Sequence, residues 1–384
     1  MGRLHYVKSK DMIFYIGYSF MIIYKFSIAM PIFEGTLFRT YSFLFSGMIL
    51  VLLSVLLDRF SLLEIVLISY GFLSFFLVKD ITLMTCLVLI IAIRDKDIEQ
   101  IISFYYHIQS FVLMICIILY PIFYIAGLPY AKSSIIAGRF RYNFFFTHPN
   151  NFAIQVVFTI LAYIYLKRKK LSYGRINIIL ILASIFVYVF PNSQSATVTL
   201  ILYGFSLFLL RHFKILWKPF IKIVLPVLIL CTIYIVYSFY TGQTTILTSN
   251  ITGTFGARFT GAAKAFLLYD LNFNGNKMEE IGQTLYLNGA WGNFWFDLAY
   301  ARIILAFGII GGGIFYYLLF RTIKIFIKEK NYSVLLLFIT VLFYALSEWT
   351  AFAILTVFPL LFMSKSIDKY HRLVKVKYLH LDPR

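Results

Sequence analysis

The carboxylate of Asp297, late in the chain, lies in a sequence environment that suits an acid–base catalyst. Asp297 lies among aromatic residues just before a long apolar run. Partial removal of water there would raise its pKa and let it act as a general base. The alternative is an ion pair with Arg302, five residues later. Lys25 inside the first apolar run and Glu348 between the last two are further charges at apolar positions, and both are secondary candidates.

Two cations precede Asp297 at a spacing that suits a diphosphate. Arg258 and Lys264 are six residues apart, which on a helix places them on different faces and about 9 Å apart along the axis. Cations at that separation could bind the two phosphates of a diphosphate, with the arginine forming a bidentate contact. The alternative is the solvated face of an amphipathic helix in a loop.

A second polar group lies earlier in the chain, between residues 128 and 150. Arg139 and Arg141 could bind phosphate oxygens, or they could anchor the chain to lipid headgroups. His148 could serve as a base, because the ordinary pKa of histidine is about 6.5, and Asn150 could contact the substrate. The alternative is structural, since a proline beside polar residues commonly begins a helix.

The apolar runs that separate these residues predict a membrane protein. Of the 384 residues, 61% are hydrophobic and 13% are charged, which is more apolar surface than one soluble core can bury. We predict an all-α fold, a single integral membrane domain over residues 1–384 with about 12 transmembrane helices of about 20 residues each. The predicted spans are Met12–Met30, Tyr41–Leu57, Ser61–Val78, Ile81–Ile93, Ile102–Leu119 with an extension towards Ala126, Asn151–Leu166, Ile176–Phe190, Ala196–Leu210, Phe220–Phe239, Tyr300–Phe320, Val334–Leu346 and Phe352–Met363.

The distribution of Lys and Arg predicts how these spans are oriented. The formal net charge is +19, but 25 of the 35 basic residues fall in one alternating set of loops, nine fall in the other set, and Lys25 lies inside the first span. Basic residues are enriched in cytoplasmic loops, so this bias indicates membrane topology rather than nucleic-acid binding. Both termini are therefore expected in the cytoplasm, and the loops at 128–150 and 240–299 outside.

Several kinds of cofactor site are missing from the sequence. The outer loops hold no Asp-x-Asp pair, no Gly-rich phosphate loop precedes Lys and Ser or Thr, and His and Cys do not cluster as in a zinc site. We therefore predict an activity that uses no metal and no other cofactor. Cys86, Cys116 and Cys231 fall within apolar runs, which predicts buried thiols and no disulfide.

Short sequences in both outer loops resemble a known superfamily. They are Phe-Thr-His-Pro-Asn-Asn at 146–151, Gly-Ala-Arg at 256–258 and Asp-Leu-Ala-Tyr at 297–300. Together with about 12 predicted spans and two cytoplasmic termini, these short sequences resemble those of the O-antigen ligase and polymerase superfamily. Within it the chain is most like a Wzy-type polymerase of capsule, exopolysaccharide or O-antigen, because the ligases carry a His in the late outer loop and residues 240–299 contain none. The chain departs from many members at Gln194, where they have an Arg.

The resemblance implies a GT-C-like fold and a metal-independent glycosyltransferase in the bacterial cytoplasmic membrane. A glycan would pass from undecaprenyl diphosphate to a hydroxyl of another lipid-linked repeat at the outer face. The implied partners are this lipid-linked oligosaccharide, membrane lipid, a flippase and a chain-length regulator, and nucleic acid is not among them. The residues implied in binding the diphosphate or glycan are Arg139, Arg141, Asn150, Arg258 and Lys264, and the implied base is Asp297 or His148.

Two other functions are compatible with the same membrane plan. One is a flippase or other transporter of lipid-linked oligosaccharide, but transporters usually show related halves and helices broken near the midplane. No corresponding halves are evident here, and the polar residues gather on one outer face. The other is an O-antigen-type ligase. The sequence favours the polymerase.

Overall fold

A computed structural model of the chain consists mainly of helices. It describes residues 9–30, 37–56, 60–128, 131, 133–136, 139–241, 253–279, 281, 283–287 and 290–367. The two termini predicted to be cytoplasmic lie outside these ranges. The chain divides into two compact units, the first comprising Met1–Ile68, Leu87–Leu200 and Ile367–Arg384, and the second Ser69–Cys86 and Ile201–Ser366.

The described helices follow the apolar runs of the sequence. They are α1 Ser9–Ala29, α2 Leu37–Leu56, α3 Leu62–Val78, α4 Thr82–Ala92, α5 Ile98–Ile125, α6 Pro149–Lys167, α7 Tyr173–Val189, α8 Gln194–His212, α9 Lys214–Thr241, α10 Gly253–Leu268, α11 Ala299–Glu329 and α12 Tyr332–Tyr344. Two 3-10 helices follow, Trp349–Phe352 and Phe358–Met363.

Five of these helices, α1, α5, α6, α8 and α11, contain stretches long and apolar enough to cross a membrane. The prediction of a largely helical chain that contains helices long and apolar enough to span a membrane is confirmed. Seven further apolar helical stretches have only 10–17 residues, so the number of about 12 spans stays a prediction. The last predicted span differs, because residues 352–363 form short 3-10 turns. Pro359 lacks a backbone N–H and begins a new helix there instead of continuing one.

The two predicted outer loops contain structure of their own. Residues 128–150 include a hairpin of β1 Ser133–Ile136 and β2 Arg139–Tyr142, with Ser134 opposite Arg141. Residues 240–299 include α10 and a second hairpin, β3 Thr284–Leu287 and β4 Ala290–Asn293. Strands in the described residues are confined to these two hairpins.

The thiols fit an apolar environment. Cys86, Cys116 and Cys231 are all free, as predicted. Cys86 and Cys116 are buried, but Cys231 is exposed on α9, which corrects the prediction that all three are buried. Its neighbours Leu230 and Ile233 are also largely exposed, at 64% and 53%.

In the first unit, α1, α5 and α6 enclose a buried ammonium group. Lys25 on α1 is 9% exposed, and its Nζ donates a hydrogen bond to Oε1 of Gln155 on α6 at 2.9 Å. The same Nζ lies 5.5 Å from the centre of the Tyr105 ring on α5. A hydrogen bond and a cation–π contact together compensate part of the cost of burying this charge.

In the second unit, an apolar core lies under the segment that leads into α11. The core joins α9, α10, residues 294–298 and the first turns of α11. Its buried side chains include Ile235 and Val236 of α9, Phe259, Ala262 and Ala265 of α10, Phe294, Phe296 and Leu298 of the segment, and Ala301 and Leu305 of α11.

Helix α11 is broken near its start. Gly308 has φ 70° and ψ −176°, and a side chain there would collide with the backbone of Phe273. The break frees carbonyl groups that the preceding loop satisfies: the Asn276 N–H reaches the carbonyl oxygens of Leu305 and Ala306, at 3.1 Å each. The loop and the broken helix therefore hold each other in place.

The break divides α11 into two parts of different character. Residues 309–329 form a continuous helix about 31 Å long at 1.5 Å per residue, and its last turns carry Arg321, Lys324 and Lys328. Its first residues, Ile309 and Ile310, are 46% and 43% exposed. Residues 299–307 form a short, mostly buried helix that carries Arg302.

Candidate active site

A short extended segment places Asp297 immediately before α11. In this segment every second side chain is buried: Phe294 is 1% exposed, and Phe296 and Leu298 are fully buried. Asp297 lies between the last two and is half-buried. Successive side chains of extended backbone point to opposite sides, so Asp297 faces away from the apolar core.

Burial and two arginines act on Asp297 in opposite directions. Burial raises the pKa of the Asp297 carboxyl, whereas the positive charges of Arg258 and Arg302 lower it, and the pKa stays above its ordinary value. A carboxylate with a raised pKa takes up a proton more readily than an ordinary one. This setting suits a general base.

Arg258 on α10 is paired with a carboxylate. Its Nη2 donates a hydrogen bond to Oε1 of Glu348 at 3.0 Å. The two side chains are only 18% and 10% exposed. Glu348 follows α12, close to Tyr344, whose hydroxyl lies 3.1 Å from Oγ1 of Thr350. The structure thus brings Arg258 and Glu348 together, although the sequence suggested separate roles for them.

Arg302 is held by three neighbours. Its Nη1 donates to the carbonyl oxygen of Phe296 at 3.2 Å, its Nη2 lies 4.0 Å from Oδ2 of Asp80, and its guanidinium carbon is 4.1 Å from the centre of the Trp349 ring. In the described part of the chain, the carboxylate within ion-pair distance of Arg302 is therefore that of Asp80. Arg302 acts on Asp297 through its charge at longer range.

The helix predicted over Arg258 and Lys264 is present as α10. Lys264 is half-buried on it. Among the residues that the structure describes, Lys264 forms no ion pair. It is available to an anion, but it is not part of the contacts that join Arg258 to Glu348.

In the first unit, His148 begins α6. Its Nδ1 accepts a hydrogen bond from the backbone N–H of Asn150 at 3.1 Å, and Pro149 occupies the first turn. Burial, and then the charge of Arg141, lower the pKa of His148 to about 4. With Nδ1 occupied as an acceptor, Nε2 carries the proton of the neutral ring. In this arrangement His148 has no free lone pair for a general base.

Arg141 is a buried structural neighbour of His148. It is 4% exposed, its Nε donates to the carbonyl oxygen of Pro191 at 2.9 Å, and its Nη2 donates to Oδ1 of Asn150. The structure therefore brings together three of the residues predicted in the first loop, Arg141, His148 and Asn150. Their mutual contacts hold the start of α6 beside the hairpin.

Arg139 differs from Arg141 in its contacts. Both side chains lie on the same face of β2, since they are two residues apart in a strand. Arg139 is half-buried, and its Nη1 is shielded from solvent without a hydrogen-bond partner among the described residues. A buried N–H is costly to leave unsatisfied, so Arg139 is the arginine of this loop best suited to bind an anion.

An apolar groove of about 350 Å³ lies beside the Arg302 cluster in the second unit. Its walls come from α9, the end of α10 and α11, and include Ile233, Phe266 and Ile304. Tyr269 adds a hydroxyl to the wall and lies close enough to interact with the charge of Arg302. The lining is therefore mainly apolar and includes the carboxylate of Asp270, and Tyr300 and Ala301 of the wall immediately precede Arg302 in the chain.

No protein-family model, no curated protein and no solved structure matches this chain. A function is therefore inferred from the residues themselves and their surroundings. In the described ranges, no group of three or more His, Cys, Asp and Glu side chains could hold a metal ion.

Sequence reasoning did not group the residues that surround Asp297. Asp80, Arg302 and the adjacent residues Glu348 and Trp349 come from three distant points of the chain and meet only in the folded second unit. The sequence did contain one indication of this cluster. Asp80, Arg302 and Glu348 each lie at the edge of an apolar run, where a buried charge needs a partner.

Proposed function

We propose that this protein is a polymerase of cell-surface polysaccharide in the bacterial cytoplasmic membrane. It transfers a glycan from undecaprenyl diphosphate to a hydroxyl of a second lipid-linked repeat at the outer face. The observation that carries the proposal is the half-buried Asp297 carboxyl within the fields of Arg258 and Arg302, next to an apolar groove.

Asp297 is the base in this proposal. The bond between the first carbon of the donor glycan and the diphosphate oxygen breaks, and the acceptor oxygen forms a new bond to that carbon. The acceptor hydroxyl loses its proton to Asp297. The raised pKa of Asp297 favours this transfer, because a more basic carboxylate accepts the proton more completely.

Arg258 and Arg302 stabilise the leaving diphosphate. Negative charge develops on the phosphate oxygens as the bond breaks, and preorganised cations in a partly dehydrated site lower the energy of that transition state. Arg302 is already fixed by Phe296 and Trp349. Arg258 reaches the diphosphate by exchanging its hydrogen bond with Glu348 for one with a phosphate oxygen.

The groove suits the hydrocarbon chain of the lipid carrier. Its lining is mainly apolar, and Tyr269 and Ala301 of the wall lie near Arg302. In the proposed topology, the apolar part of α11 ends at Phe320, before the cytoplasmic cations Arg321 and Lys324, so the start of the helix with Arg302 lies towards the outer surface. A carrier in the groove would then place its diphosphate among the arginines.

The first unit contributes a separate candidate for phosphate binding. Arg139 has a shielded Nη1 without a partner in the described residues. Arg141 and Asn150 bind each other and support α6, so we assign them a supporting role.

The decisive experiment uses Asp297→Asn in vesicles that contain the purified protein and the lipid-linked repeat. Asparagine keeps the shape of the side chain but cannot take up the proton. We expect polymer formation to fall by a factor of about 10² to 10⁴, with single lipid-linked repeats accumulating. Glu279→Gln is the matched control, since Glu279 is an exposed carboxylate of the same loop, 61% exposed.

Two results would contradict the proposal. Polymer formation by Asp297→Asn at the rate of Glu279→Gln would remove Asp297 from the reaction. Movement of the lipid-linked repeat across wild-type vesicles, without any polymer formed, would indicate a transporter.

A further inference from the structure

An exposed tryptophan stands next to the proposed base. Trp295 is 58% exposed, whereas its neighbours Phe294 and Phe296 are 1% and 0% exposed. An indole ring in that position contributes little to the core. It forms a flat apolar surface on the outside of the second unit.

The backbone places this surface on the same side as Asp297. Side chains two residues apart in extended backbone point the same way, and their Cα atoms are about 6.6 Å apart at 3.3 Å per residue. The extended conformation is supported at both ends of the segment. The Phe294 N–H continues the hairpin ladder to the carbonyl oxygen of Gln283 at 2.9 Å, and Leu298 has φ −72° and ψ 101°.

Contacts of the main chain hold this arrangement in place. The carbonyl oxygen of Trp295 packs against Gly261 on α10, where any Cβ would collide with it. The next carbonyl, that of Phe296, accepts the hydrogen bond from Arg302. The exposed indole is thus carried by a fixed backbone rather than by a free loop.

We propose that Trp295 is the platform for the acceptor sugar. The indole face carries negative charge density and attracts the weakly positive C–H groups on one face of a pyranose ring. A sugar stacked there would extend towards Asp297, with a ring hydroxyl directed at the carboxylate. This inference rests on the proposed function, because it names the acceptor subsite of the same reaction.

The position distinguishes a sugar platform from an ordinary interfacial anchor. A tryptophan that only contacts lipid headgroups needs no particular neighbour and no fixed backbone. Trp295 has both, a carboxylate on its own side and a main chain locked against Gly261 and Arg302. Phe273, 66% exposed in the same outer region, provides a comparison residue without a carboxylate two positions away.

The first test separates acceptor binding from the chemical step. Polymerisation is measured with a fixed amount of labelled donor and increasing amounts of unlabelled lipid-linked repeat as acceptor. We expect Trp295→Leu to raise the KM for the acceptor about three- to ten-fold while kcat changes less, since an aromatic contact contributes a fraction of the binding energy. Trp295→Phe should recover most of the loss, and Phe273→Leu should match the wild-type KM.

The second test measures binding of the lipid-linked repeat at Trp295 in the absence of the transfer reaction. Indole oxidation by N-bromosuccinimide is followed at Trp295 by peptide mass spectrometry in the inactive Asp297→Asn protein, with and without the lipid-linked repeat. We expect the repeat to slow oxidation of Trp295. If the repeat protects Trp295 from oxidation but the wild-type protein forms no polymer, Trp295 binds the sugar and the protein is not a polymerase.

Equal effects of Trp295→Leu and Phe273→Leu on the acceptor KM would overturn the platform, and so would oxidation of Trp295 at the same rate with and without the repeat. Either result identifies Trp295 as a membrane anchor.

Gly261→Ala gives an independent check, because it displaces the backbone of Trp295 while leaving the indole in the chain. It should raise the acceptor KM in the same direction as Trp295→Leu.

Discussion

Arg258 on α10 and Glu348 after α12 form an ion pair of 3.0 Å between residues 90 positions apart in the chain. The pair is largely shielded from water, so Arg258 must keep an anionic partner in every state of the protein. Glu348 is that partner in the structure. In the proposed reaction, an entering diphosphate replaces Glu348 as the partner of Arg258, and the pair with Glu348 forms again when the product leaves.

Replacement of Arg258 tests this exchange. We expect Arg258→Ala to reduce the polymerisation rate about ten- to a hundred-fold, because a hydrogen bond to a charged group contributes about 1.5–3 kcal/mol. Arg258→Lys should recover little, since an ammonium group lacks the planar fork of a guanidinium. Lys277→Ala is the control, an exposed cation of the same outer region that pairs with Glu279. Equal rates for Arg258→Ala and Lys277→Ala would make Arg258 a structural residue.

The pH dependence of the reaction should report on Asp297. Asp297 accepts a proton only when it is ionised, so the rate falls as the pH drops through its raised pKa. Arg302 lowers that pKa, and Arg302→Gln should therefore move the acidic limb of the rate profile to higher pH. Rates of both proteins over about pH 4 to 8 provide the measurement, with thermal unfolding as a check of folding. An acidic limb that stays in place, or moves to lower pH, would show that Asp297 is not the group that titrates.

His148 should affect stability more than catalysis. Its pKa is about 4 in the folded protein, against about 6.5 in an unfolded chain. The unfolded state therefore binds more protons in this range, and the free energy of unfolding decreases as the pH falls from about 6.5 towards about 4. His148→Gln should weaken this dependence, seen in thermal unfolding at several pH values, while polymerisation continues. Loss of polymerisation in His148→Gln, with an active Asp297→Asn, would make His148 the base.

The break in α11 offers a comparison of two glycines on one helix. Gly308→Ala should destabilise the protein by about 1–3 kcal/mol, because the residue has positive φ and the new methyl group meets the backbone of Phe273. Gly313→Ala is the control, since a Cβ at that position has no neighbour within 4 Å. Hydrogen exchange should show faster opening of residues 272–276 in Gly308→Ala alone. Similar stabilities for the two variants would show that the interlock with the loop contributes little.

The orientation in the membrane can be tested at the same loop. Gly275 is a poor place for a cysteine, because it has φ 93° and a Cβ there would collide with the backbone of Ala306. Glu279 is 61% exposed, so a cysteine at that position would be accessible to a thiol reagent. We expect Glu279→Cys to react with a membrane-impermeant thiol reagent from outside intact cells. Reaction only after permeabilisation would reverse the topology and remove the outer-face polymerase.

Local sequence patterns predicted most of the helices and two residues of the candidate site. Apolar runs of sufficient length predict helices whatever their neighbours are, and Asp297 and Arg258 stood out because charges are scarce around them. The two hairpins were not predicted, since strands of four residues have too few positions to show alternation. The partners of the arginines could not be predicted either. Asp80 lies more than 200 residues before Arg302, and no local pattern carries a contact of that range.

The hydrogen bond between Lys25 and Gln155 joins residues 130 positions apart. In the proposed topology, α1 leaves the ribosome and enters the bilayer long before α6 has been synthesised. During that interval the ammonium group of Lys25 lacks its amide partner, and a charged side chain in hydrocarbon opposes insertion. We therefore expect the first helix to reach its final depth only after the sixth has been inserted, so that a later helix completes the insertion of the earliest one.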